Sequence, residues 1–206
     1  MTENPLPNLS KANAQADPFE QFERWFAVAE AEIPVHPEAM ALATSTPSGT
    51  PAVRMVLCKQ FDRRGFVFYT SYESKKASHL EANPWAEAVF WWGAIDRQVR
   101  VLGQVRRVSA EESDAYFATR PRNSQIGAWA STQSRAIASR SALEARVDAV
   151  AERWEGQSVQ RPPHWGGYRI EPTAIEFWEG RTGRLHDRLR YTKNAADRWT
   201  IERLAP

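Results

Sequence analysis

Short segments rich in β-branched and aromatic residues recur along most of the chain, and they constrain the fold more than any other feature. MALATST (40–46), AVRMVLCKQF (52–61) and FVFYTS (66–71) are separated by the turns PSGTP and DRRG. Six further segments have the same character: AEAVFWW (86–92), RQVRVLGQVRRV (97–108), GYRI (167–170), AIEFWEG (174–180), RLHDRLRYT (184–192) and RWTIERL (198–204). Consecutive strands joined by short turns form hairpins, so the pattern predicts an antiparallel barrel rather than a parallel, doubly wound sheet.

Helix starts between these strands are marked by capping residues. Asp17 followed by Pro18 is typical of a helix N-terminus, and aromatic residues continue from there with helical spacing. Three more starts are predicted at Ser74, at Ser109 with Glu112, and at Ser141 with Glu144. Residues 1–16 are polar and predict a disordered segment. We therefore expect one mainly β domain with flanking helices over residues 17–206.

The composition is typical of a soluble globular protein and excludes several functional classes. A net charge of +2 argues against a dedicated nucleic-acid binder. Cys58 is the single cysteine, which excludes an intrachain disulfide, and the four histidines have no paired metal-ligand spacing. The N-terminus lacks a signal-peptide core and no stretch has the length of a membrane span, so we expect a cytoplasmic protein without a membrane partner. Nine Trp indicate a packed β core or an extensive interface.

A first candidate anion site combines a strand arginine with a helix N-terminus. Arg54 lies on an otherwise apolar predicted strand, where a cation needs a partner. Ser74 begins a helix whose first turn carries Lys75 and Lys76, and lysines there oppose the helix dipole unless an anion is present. The alternative is a pair of solvated surface lysines.

A second candidate is the stretch YFATRPRNSQIGAWAS at 116–131. Tyr116 and Arg120 are four residues apart on a predicted helix and therefore share one face. Pro121 is expected to end that helix, with Ser124 in the following turn. Together these side chains would form a compact oxyanion clamp. The alternative is an arginine that merely compensates the helix dipole.

A third candidate is GRLHDR at 183–188. On an extended strand Arg184, His186 and Arg188 would point to one face, near Trp178, while Leu185 fills the other. Cations beside tryptophan suggest a stacked or anionic ligand. The alternative is a solvated strand face.

Taken in order, these stretches resemble one known family. RMVLCK (54–59), FVFYTSYESKKA (66–77), YFATRPRNSQIGAWAS (116–131) and IEFWEGRTGRLHDR (175–188) closely resemble the pyridoxine (pyridoxamine) 5'-phosphate oxidases, as do RQVRV (97–101), HWGGYRI (164–170) and the ending ERLAP. The resemblance implies a homodimeric split β-barrel with FMN at the subunit interface. The implied reaction oxidises pyridoxine or pyridoxamine phosphate to pyridoxal phosphate, with hydride transfer from substrate C4' to flavin N5, O2 as acceptor and H2O2 as product.

The resemblance also implies a role for individual residues. FMN contacts are implied for Arg54, Met55, Val56, Leu57, Cys58, Lys59, Tyr69, Thr70, Lys75, Lys76, Gln98, Gln133, Ser134, Trp178 and Arg188. Of these, Gln133, Ser134, Trp178 and Arg188 are expected to complete the site from the other subunit. Substrate contacts are implied for Lys59, Tyr116, Arg120, Ser124, Arg184, Leu185 and His186. Arg184 and His186 are the expected catalytic pair over the substrate ring.

Some positions depart from the family pattern. Lys75 replaces a common arginine, and His36 precedes Pro37 where many members have an acidic residue. Residues 1–16 lack the arginine and tyrosine of a longer lid segment, and Cys58 replaces a common leucine. Two other functions remain as alternatives: a related split-barrel flavin oxidase acting on a phenazine precursor, and a non-enzymatic module that binds single-stranded nucleic acid.

Overall fold

Antiparallel strands dominate the computed structural model, which describes residues 8–206. The helices are α1 (Pro18–Glu32), α2 (Lys75–Ala82), α3 (Ala110–Thr119), α4 (Arg122–Ala130) and α5 (Arg140–Arg153). The strands are β1 (Ala39–Ser45), β2 (Pro51–Leu57), β3 (Gln60–Asp62), β4 (Gly65–Ser71), β5 (Trp85–Trp92), β6 (Arg97–Arg107), β7 (Trp165–Glu179), β8 (Asp187–Lys193) and β9 (Trp199–Arg203).

One sheet contains all nine strands of the described residues, in the order β2-β1-β5-β6-β7-β4-β3, with β8 and β9 added beside β7. Strand β7 pairs with β4 through its first part and with β8 through its last part, so this strand joins the two halves of the barrel. Its ladder with β6 shifts register at Leu102 and Gly103. A side chain at Gly103 would place Cβ 2.1 Å from the Glu171 carbonyl oxygen, which is why glycine is required there. The prediction of a mainly β, antiparallel fold with flanking helices is confirmed.

The core of the barrel is aromatic and is closed by α1. Phe22 is fully buried, with its ring centroid 4.9 Å from that of Phe66 and 5.0 Å from that of Phe90. Trp25 packs edge-on against Phe177 at 5.3 Å. Asp17 accepts a hydrogen bond from the Phe19 backbone N–H, so the predicted N-cap is confirmed. These aromatic residues therefore form the core, which is one of the two uses that the sequence indicated.

The described part of the N-terminal segment packs on the barrel. Leu9 is buried, and its backbone N–H donates to the Glu179 carboxylate at 2.7 Å. The Tyr191 hydroxyl donates to the Gln15 carbonyl at 2.7 Å. The prediction of disorder is therefore wrong for residues 8–16, and the rest of that prediction lies outside the described residues. No helix within 8–206 has the length and apolar character needed to cross a membrane.

Two helix boundaries differ from the sequence prediction. Pro121 ends α3 as expected but also begins α4, so Ser124 lies in a helix and not in a turn. Helix α5 starts earlier than predicted, because Ser139 is its N-cap and accepts from the Ala142 backbone N–H at 3.0 Å. Ser141 lies inside the helix and its hydroxyl contacts that of Ser139.

Replacing Ser139 with alanine is therefore expected to lower the free energy of unfolding by about 1 kcal/mol, because α5 loses its N-cap acceptor. Ser141→Ala is the matched control and should change this free energy by less than about 0.5 kcal/mol. Urea titration followed by circular dichroism measures both. Equal losses in the two variants would show that Ser139 does not cap the helix.

Candidate functional site

A cavity of about 570 Å3 collects side chains from five separate stretches of the chain. Strand β2 with Lys59 after it, strand β4 with the start of α2, helix α3 with Arg120 at its end, the loop after α4, and the start of β7 each contribute. Its lining consists of Arg54, Met55, Val56, Leu57, Lys59, Tyr69, Thr70, Lys75, Lys76, Tyr116, Arg120, Gln133, Ser134 and Trp165. The structure thus brings the first two candidate anion sites together around one space.

Arg54 and Lys76 form one cationic group in this cavity. Arg54 Nη1 donates to the Leu42 carbonyl at 3.1 Å and to Thr44 Oγ1 at 2.7 Å. Lys76 is buried, and its Nζ donates to Thr70 Oγ1 at 3.0 Å and to Gln133 Oε1 at 2.9 Å. Neutral oxygens orient both cations without neutralising them, so the pair presents net positive charge to the cavity.

Burial lowers the pKa of both cations. Burial, together with the charge of Arg54, lowers the pKa of Lys76 to about 8. Burial also lowers the pKa of Arg54. An anion bound between them would compensate both charges, as expected of a site built for a phosphate group.

The N-terminus of α2 faces the same group. Ser74 is buried and caps the helix by accepting from the Ala77 backbone N–H. The two lysines that follow differ, since Lys75 is exposed whereas Lys76 is buried. The alternative of two solvated lysines is therefore wrong for Lys76.

Arg120 forms a second cationic position in the cavity. Its guanidinium lies over the Trp165 ring, 4.5 Å from the centroid, and burial lowers its pKa. Among the described residues, its buried Nη1 has no hydrogen-bond partner. A buried donor of this kind costs free energy until a ligand oxygen accepts from it. The environment of Arg120 is therefore that of a residue that binds an anion, and not that of an arginine that only compensates the dipole of helix α3.

An aromatic stack lies beside Arg120. The Tyr69 and Tyr116 rings are parallel within 15°, with centroids 3.9 Å apart, and Trp165 continues the stack 5.5 Å from Tyr69. Burial raises the pKa of Tyr69 to about 12, so its hydroxyl remains a neutral donor. Flat apolar rings next to a free guanidinium suit a ligand with an aromatic ring and an anionic group.

Lys59 is paired, unlike the other cations of the cavity. Its Nζ donates to Glu38 Oε1 at 2.8 Å, and both side chains are half-buried. Within residues 8–206, no ion pair is formed by Arg54, Lys75, Lys76 or Arg120.

Cys58 and Ser124 are among the residues implied by the resemblance that do not line the cavity. Cys58 is buried behind it, with Sγ donating to the Gln60 carbonyl and its pKa raised by burial to about 12. This thiol packs as a small hydrophobic group, as its position on the strand suggested. Ser124, in the first turn of α4, also lies outside the lining residues.

Gln133 and Ser134 are placed differently from the expectation. The resemblance assigned them to the other subunit, but both line the cavity of their own chain. Gln133 Oε1 accepts from Lys76 Nζ and from Thr70 Oγ1, at 2.9 and 2.8 Å. These two residues therefore lie at the cavity of their own chain, and their contribution to the site of the other subunit stays a prediction.

The remaining predicted residues form a separate cluster away from this cavity. Gln98 on β6 pairs with Trp178 on β7, which pairs in turn with Arg188 on β8. Arg188 Nε donates to Glu176 at 2.8 Å, and its Nη1 donates to the Ala205 carbonyl at 2.8 Å. Arg184 and Leu185 are exposed. None of these residues lines the cavity that contains Arg54.

The stretch 183–188 does not form a single extended strand, so that prediction is wrong. Gly183 and Arg184 have positive φ values of 68° and 61° and end a short 3-10 turn, and β8 begins only at Asp187. His186 packs on the Trp178 ring at 4.6 Å, and its Nδ1 accepts from the Arg181 backbone N–H at 3.1 Å. In the neutral ring the proton is therefore on Nε2, which can act as a donor.

Several large apolar side chains are exposed on the barrel. Val53 and Met55 on the edge strand β2 are 69% and 64% exposed, and Trp91 on β5 is 56% exposed. Leu185, next to Arg184, is 73% exposed. Side chains of this size and exposure are typical of a surface that contacts another subunit.

The fold of this chain is shared with a solved structure of low sequence identity. A structure of a pyridoxamine 5'-phosphate oxidase-related, FMN binding protein from Nostoc punctiforme PCC 73102 superposes with a TM-score of 0.75 at 19% identity, covering 93% of this chain and all of that one. The similarity shows the fold, which is the FMN-binding split barrel.

Sequence comparison identifies the family. A family model described as pyridoxamine 5'-phosphate oxidase matches residues 27–154, and one described as the pyridoxine 5'-phosphate oxidase C-terminal dimerisation region matches 165–206. The pyridoxine/pyridoxamine 5'-phosphate oxidase of Gloeothece citriformis (strain PCC 7424) is 55% identical over 98% of this chain and 94% of its own length. The oxidase of that name from Burkholderia cenocepacia (strain HI2424) is 54% identical, over 97% and 94%. The chain belongs to the pyridoxine/pyridoxamine 5'-phosphate oxidase family.

A solved structure of PhzG is also similar. PhzG from Burkholderia lata 383, in complex with tetrahydrophenazine-1-carboxylic acid, is 31% identical, covers 98% of this chain and 100% of that one, and superposes with a TM-score of 0.90.

The cofactor of this family is FMN, and the residues of the cavity fit it. Arg54, buried Lys76 and the N-terminus of α2 supply the unneutralised positive charge that a phosphate monoester requires. The apolar side chains of Met55, Val56 and Leu57 on β2 supply a wall against which a planar ring can lie.

The affinity of the cationic group formed by Arg54 and Lys76 for an anion is expected to depend on pH. Lys76 binds an anion as an ammonium group, so affinity is lost as pH rises through its pKa of about 8. The affinity of FMN-free protein for FMN should fall about tenfold between roughly pH 7 and pH 9. Quenching of flavin fluorescence measures this. Lys76→Arg stays charged and should flatten the profile, whereas an equal slope in that variant would show that Lys76 is not the titrating group.

Sequence reasoning missed two residues of the site. Trp165 supports Arg120 and the tyrosine stack, and Glu38 pairs with Lys59. Trp165 lies in the resembling stretch HWGGYRI (164–170), two residues before the predicted strand GYRI (167–170), and no role was predicted for it. Glu38 follows the His36-Pro37 pair and had no local signal, because its partner is 21 residues away.

Proposed function

We propose that this chain is an FMN-dependent oxidase that converts pyridoxamine 5'-phosphate and pyridoxine 5'-phosphate to pyridoxal 5'-phosphate. Oxygen accepts two electrons and two protons to give H2O2. The alcohol is oxidised directly to the aldehyde, whereas the amine also requires one water molecule and releases ammonia. FMN supplies the site that accepts hydride from substrate C4'.

The observation that carries this proposal is the presence of two distinct cationic positions in one cavity. Arg54 and Lys76 suit the phosphate of FMN, and Arg120, with its buried Nη1 free among the described residues, suits a second phosphate. Tyr116 and Lys59 line the cavity with Arg120. A phosphorylated cofactor and a phosphorylated substrate require two such positions. Binding of the non-reacting substrate phosphate would fix the position of the substrate ring.

The second subunit of a homodimer would complete the site. The C-terminal match is to a dimerisation region, and it contains Trp178, Arg184, His186 and Arg188, which lie away from the cavity of their own chain. We propose that these residues reach the cavity of the partner, with Arg184 over the substrate ring. His186 would donate from Nε2 to a substrate oxygen and would not act as the base at that atom.

A phenazine precursor is the second candidate substrate, supported by the similarity to PhzG. A tricyclic carboxylate without phosphate would use the aromatic stack but would not require the Arg120 position in the same way. Several relatives at 51–55% identity are named pyridoxine/pyridoxamine 5'-phosphate oxidase, and this favours the phosphorylated substrate.

Purified protein tests the proposal. It should be yellow, release FMN on denaturation, and form H2O2 and pyridoxal 5'-phosphate in equal amounts from pyridoxamine 5'-phosphate. Colourless protein that does not bind added FMN would exclude an FMN-dependent oxidase activity. Bound FMN without formation of pyridoxal 5'-phosphate would exclude pyridoxamine 5'-phosphate as the substrate.

A further inference from the structure

Lys59 lies between two cavities. It lines the site cavity with Arg120, and it also lines a second cavity of about 560 Å3 with Glu38 and Cys58. The aromatic rings of Phe26 and Phe61, 5.5 Å apart, form part of the second cavity. Glu38 lines the second cavity and is not among the lining residues of the first. The ion pair therefore holds the Lys59 ammonium at the boundary between the two spaces.

The backbone fixes Glu38 at this position. The Cys58 backbone N–H donates to the Glu38 carbonyl at 2.9 Å, which places the two side chains of the ion pair on adjacent segments. The preceding turn is closed by the Ala39 N–H donating to the His36 carbonyl at 2.9 Å, with His36 at a positive φ of 54°. Glu38 is therefore held by the fold and is not a flexible surface carboxylate.

Glu38 is also ionised in this environment. Burial acts to raise the pKa of Glu38, but hydrogen bonds from Lys59, from its own backbone N–H and from His36 outweigh it, so the pKa is lowered. The His36 Nδ1 lies 3.5 Å from Glu38 Oε1. At neutral pH the carboxylate consequently cancels much of the positive charge that Lys59 would otherwise present to the site cavity.

We propose that Glu38 restrains Lys59 and thereby limits how tightly the site holds the phosphate group of substrate and product. The identification of that group as a substrate phosphate rests on the proposed function. A phosphate in the site cavity must share or displace the Lys59 ammonium, which Glu38 contacts at 2.8 Å. The site therefore binds phosphate more weakly than it would if Lys59 had no carboxylate partner. The weaker binding favours release of the phosphorylated product.

Glu38→Gln tests the proposal, because it removes the negative charge and keeps an oxygen that accepts from Lys59. With inorganic phosphate as the probe, calorimetry on the FMN-loaded protein should show a dissociation constant about threefold to tenfold lower than in wild type. Glu30→Gln is the matched control: Glu30 lines the same second cavity, is exposed, and forms no ion pair within residues 8–206. This control should bind phosphate as wild type does.

Steady-state kinetics distinguish restraint from a structural role. In Glu38→Gln, KM for pyridoxamine 5'-phosphate should fall by a similar factor, while kcat/KM for pyridoxamine without phosphate stays unchanged. Unchanged or weaker phosphate binding in Glu38→Gln would overturn the proposal, and weaker binding would show that Glu38 positions Lys59 instead. Should that variant not fold, Glu38→Asp can be used instead, because its shorter side chain moves the carboxylate away from Lys59. The dissociation constant for phosphate should then decrease by a smaller factor.

The same experiments separate this inference from the proposed function. If wild type does not oxidise pyridoxamine 5'-phosphate but Glu38→Gln still binds inorganic phosphate more tightly, the proposed substrate is wrong and the restraint stands. If wild type is active and phosphate binding does not change in Glu38→Gln, the restraint is wrong and the proposed function stands.

Discussion

Replacing Arg120 with alanine is expected to raise KM for the phosphorylated substrates about 10- to 150-fold and to leave FMN bound. The guanidinium has a buried Nη1 without a partner among the described residues, and it lies over the Trp165 ring, 4.5 Å from the centroid. Loss of one charged hydrogen bond to phosphate costs roughly 1.5–3 kcal/mol, which corresponds to that range of KM.

Two further variants make the Arg120 result specific. Arg54→Ala should mainly weaken FMN binding, because Arg54 belongs to the cationic group with Lys76. Arg146→Ala removes an exposed arginine of α5 and should change neither quantity. Steady-state kinetics and the flavin absorbance of purified protein report KM and occupancy. If Arg120→Ala loses FMN while KM is unchanged, the assignments of the two cationic positions are reversed.

Arg184→Leu is expected to slow anaerobic reduction of the flavin by pyridoxamine 5'-phosphate about 10- to 150-fold. This estimate again corresponds to one charged hydrogen bond of roughly 1.5–3 kcal/mol, here lost in the transition state. Arg184 is exposed in its own chain, so the variant should fold and keep FMN. Stopped-flow absorbance measures the rate.

His186→Asn should have a smaller effect than Arg184→Leu. An asparagine oxygen can still accept from the Arg181 backbone N–H, as His186 Nδ1 does, and the lost Nε2 donor is neutral. Loss of a neutral hydrogen bond of about 0.5–1.5 kcal/mol corresponds to a rate decrease of roughly 2- to 13-fold. Reoxidation of the reduced flavin by oxygen should be unchanged in both variants. A normal reduction rate in Arg184→Leu would mean that this arginine is a solvated surface residue.

The strands and most helix starts could be predicted because their signals are local. Asp17, Ser74 and Ser109 cap the helices that the sequence placed after them. The stretch 183–188 failed because its alternating pattern imitates a strand, whereas Gly183 and Arg184 adopt positive φ values. Packing of the N-terminal segment could not be predicted, because the contact of Leu9 with Glu179 spans 170 residues.

The site was predictable only in part. The isolated cations Arg54, Lys76 and Arg120 stood out because charge in an apolar or helix-terminal setting requires a partner. The pairing of Glu38 with Lys59 and the support of Arg120 by Trp165 depend on tertiary contacts and left no local pattern. The resemblance supplied the residues of β2 that line the cavity, but it also included Cys58, which follows β2, is buried and does not line the cavity.

Anaerobic mixing of the FMN-loaded protein with each candidate substrate tests the central claim most directly. Pyridoxamine 5'-phosphate should bleach the flavin absorbance completely and form one equivalent of pyridoxal 5'-phosphate, and a dihydrophenazine carboxylate should leave the flavin oxidised on the same timescale. Rapid bleaching by the phenazine precursor, with no reduction by pyridoxamine 5'-phosphate, would contradict the account.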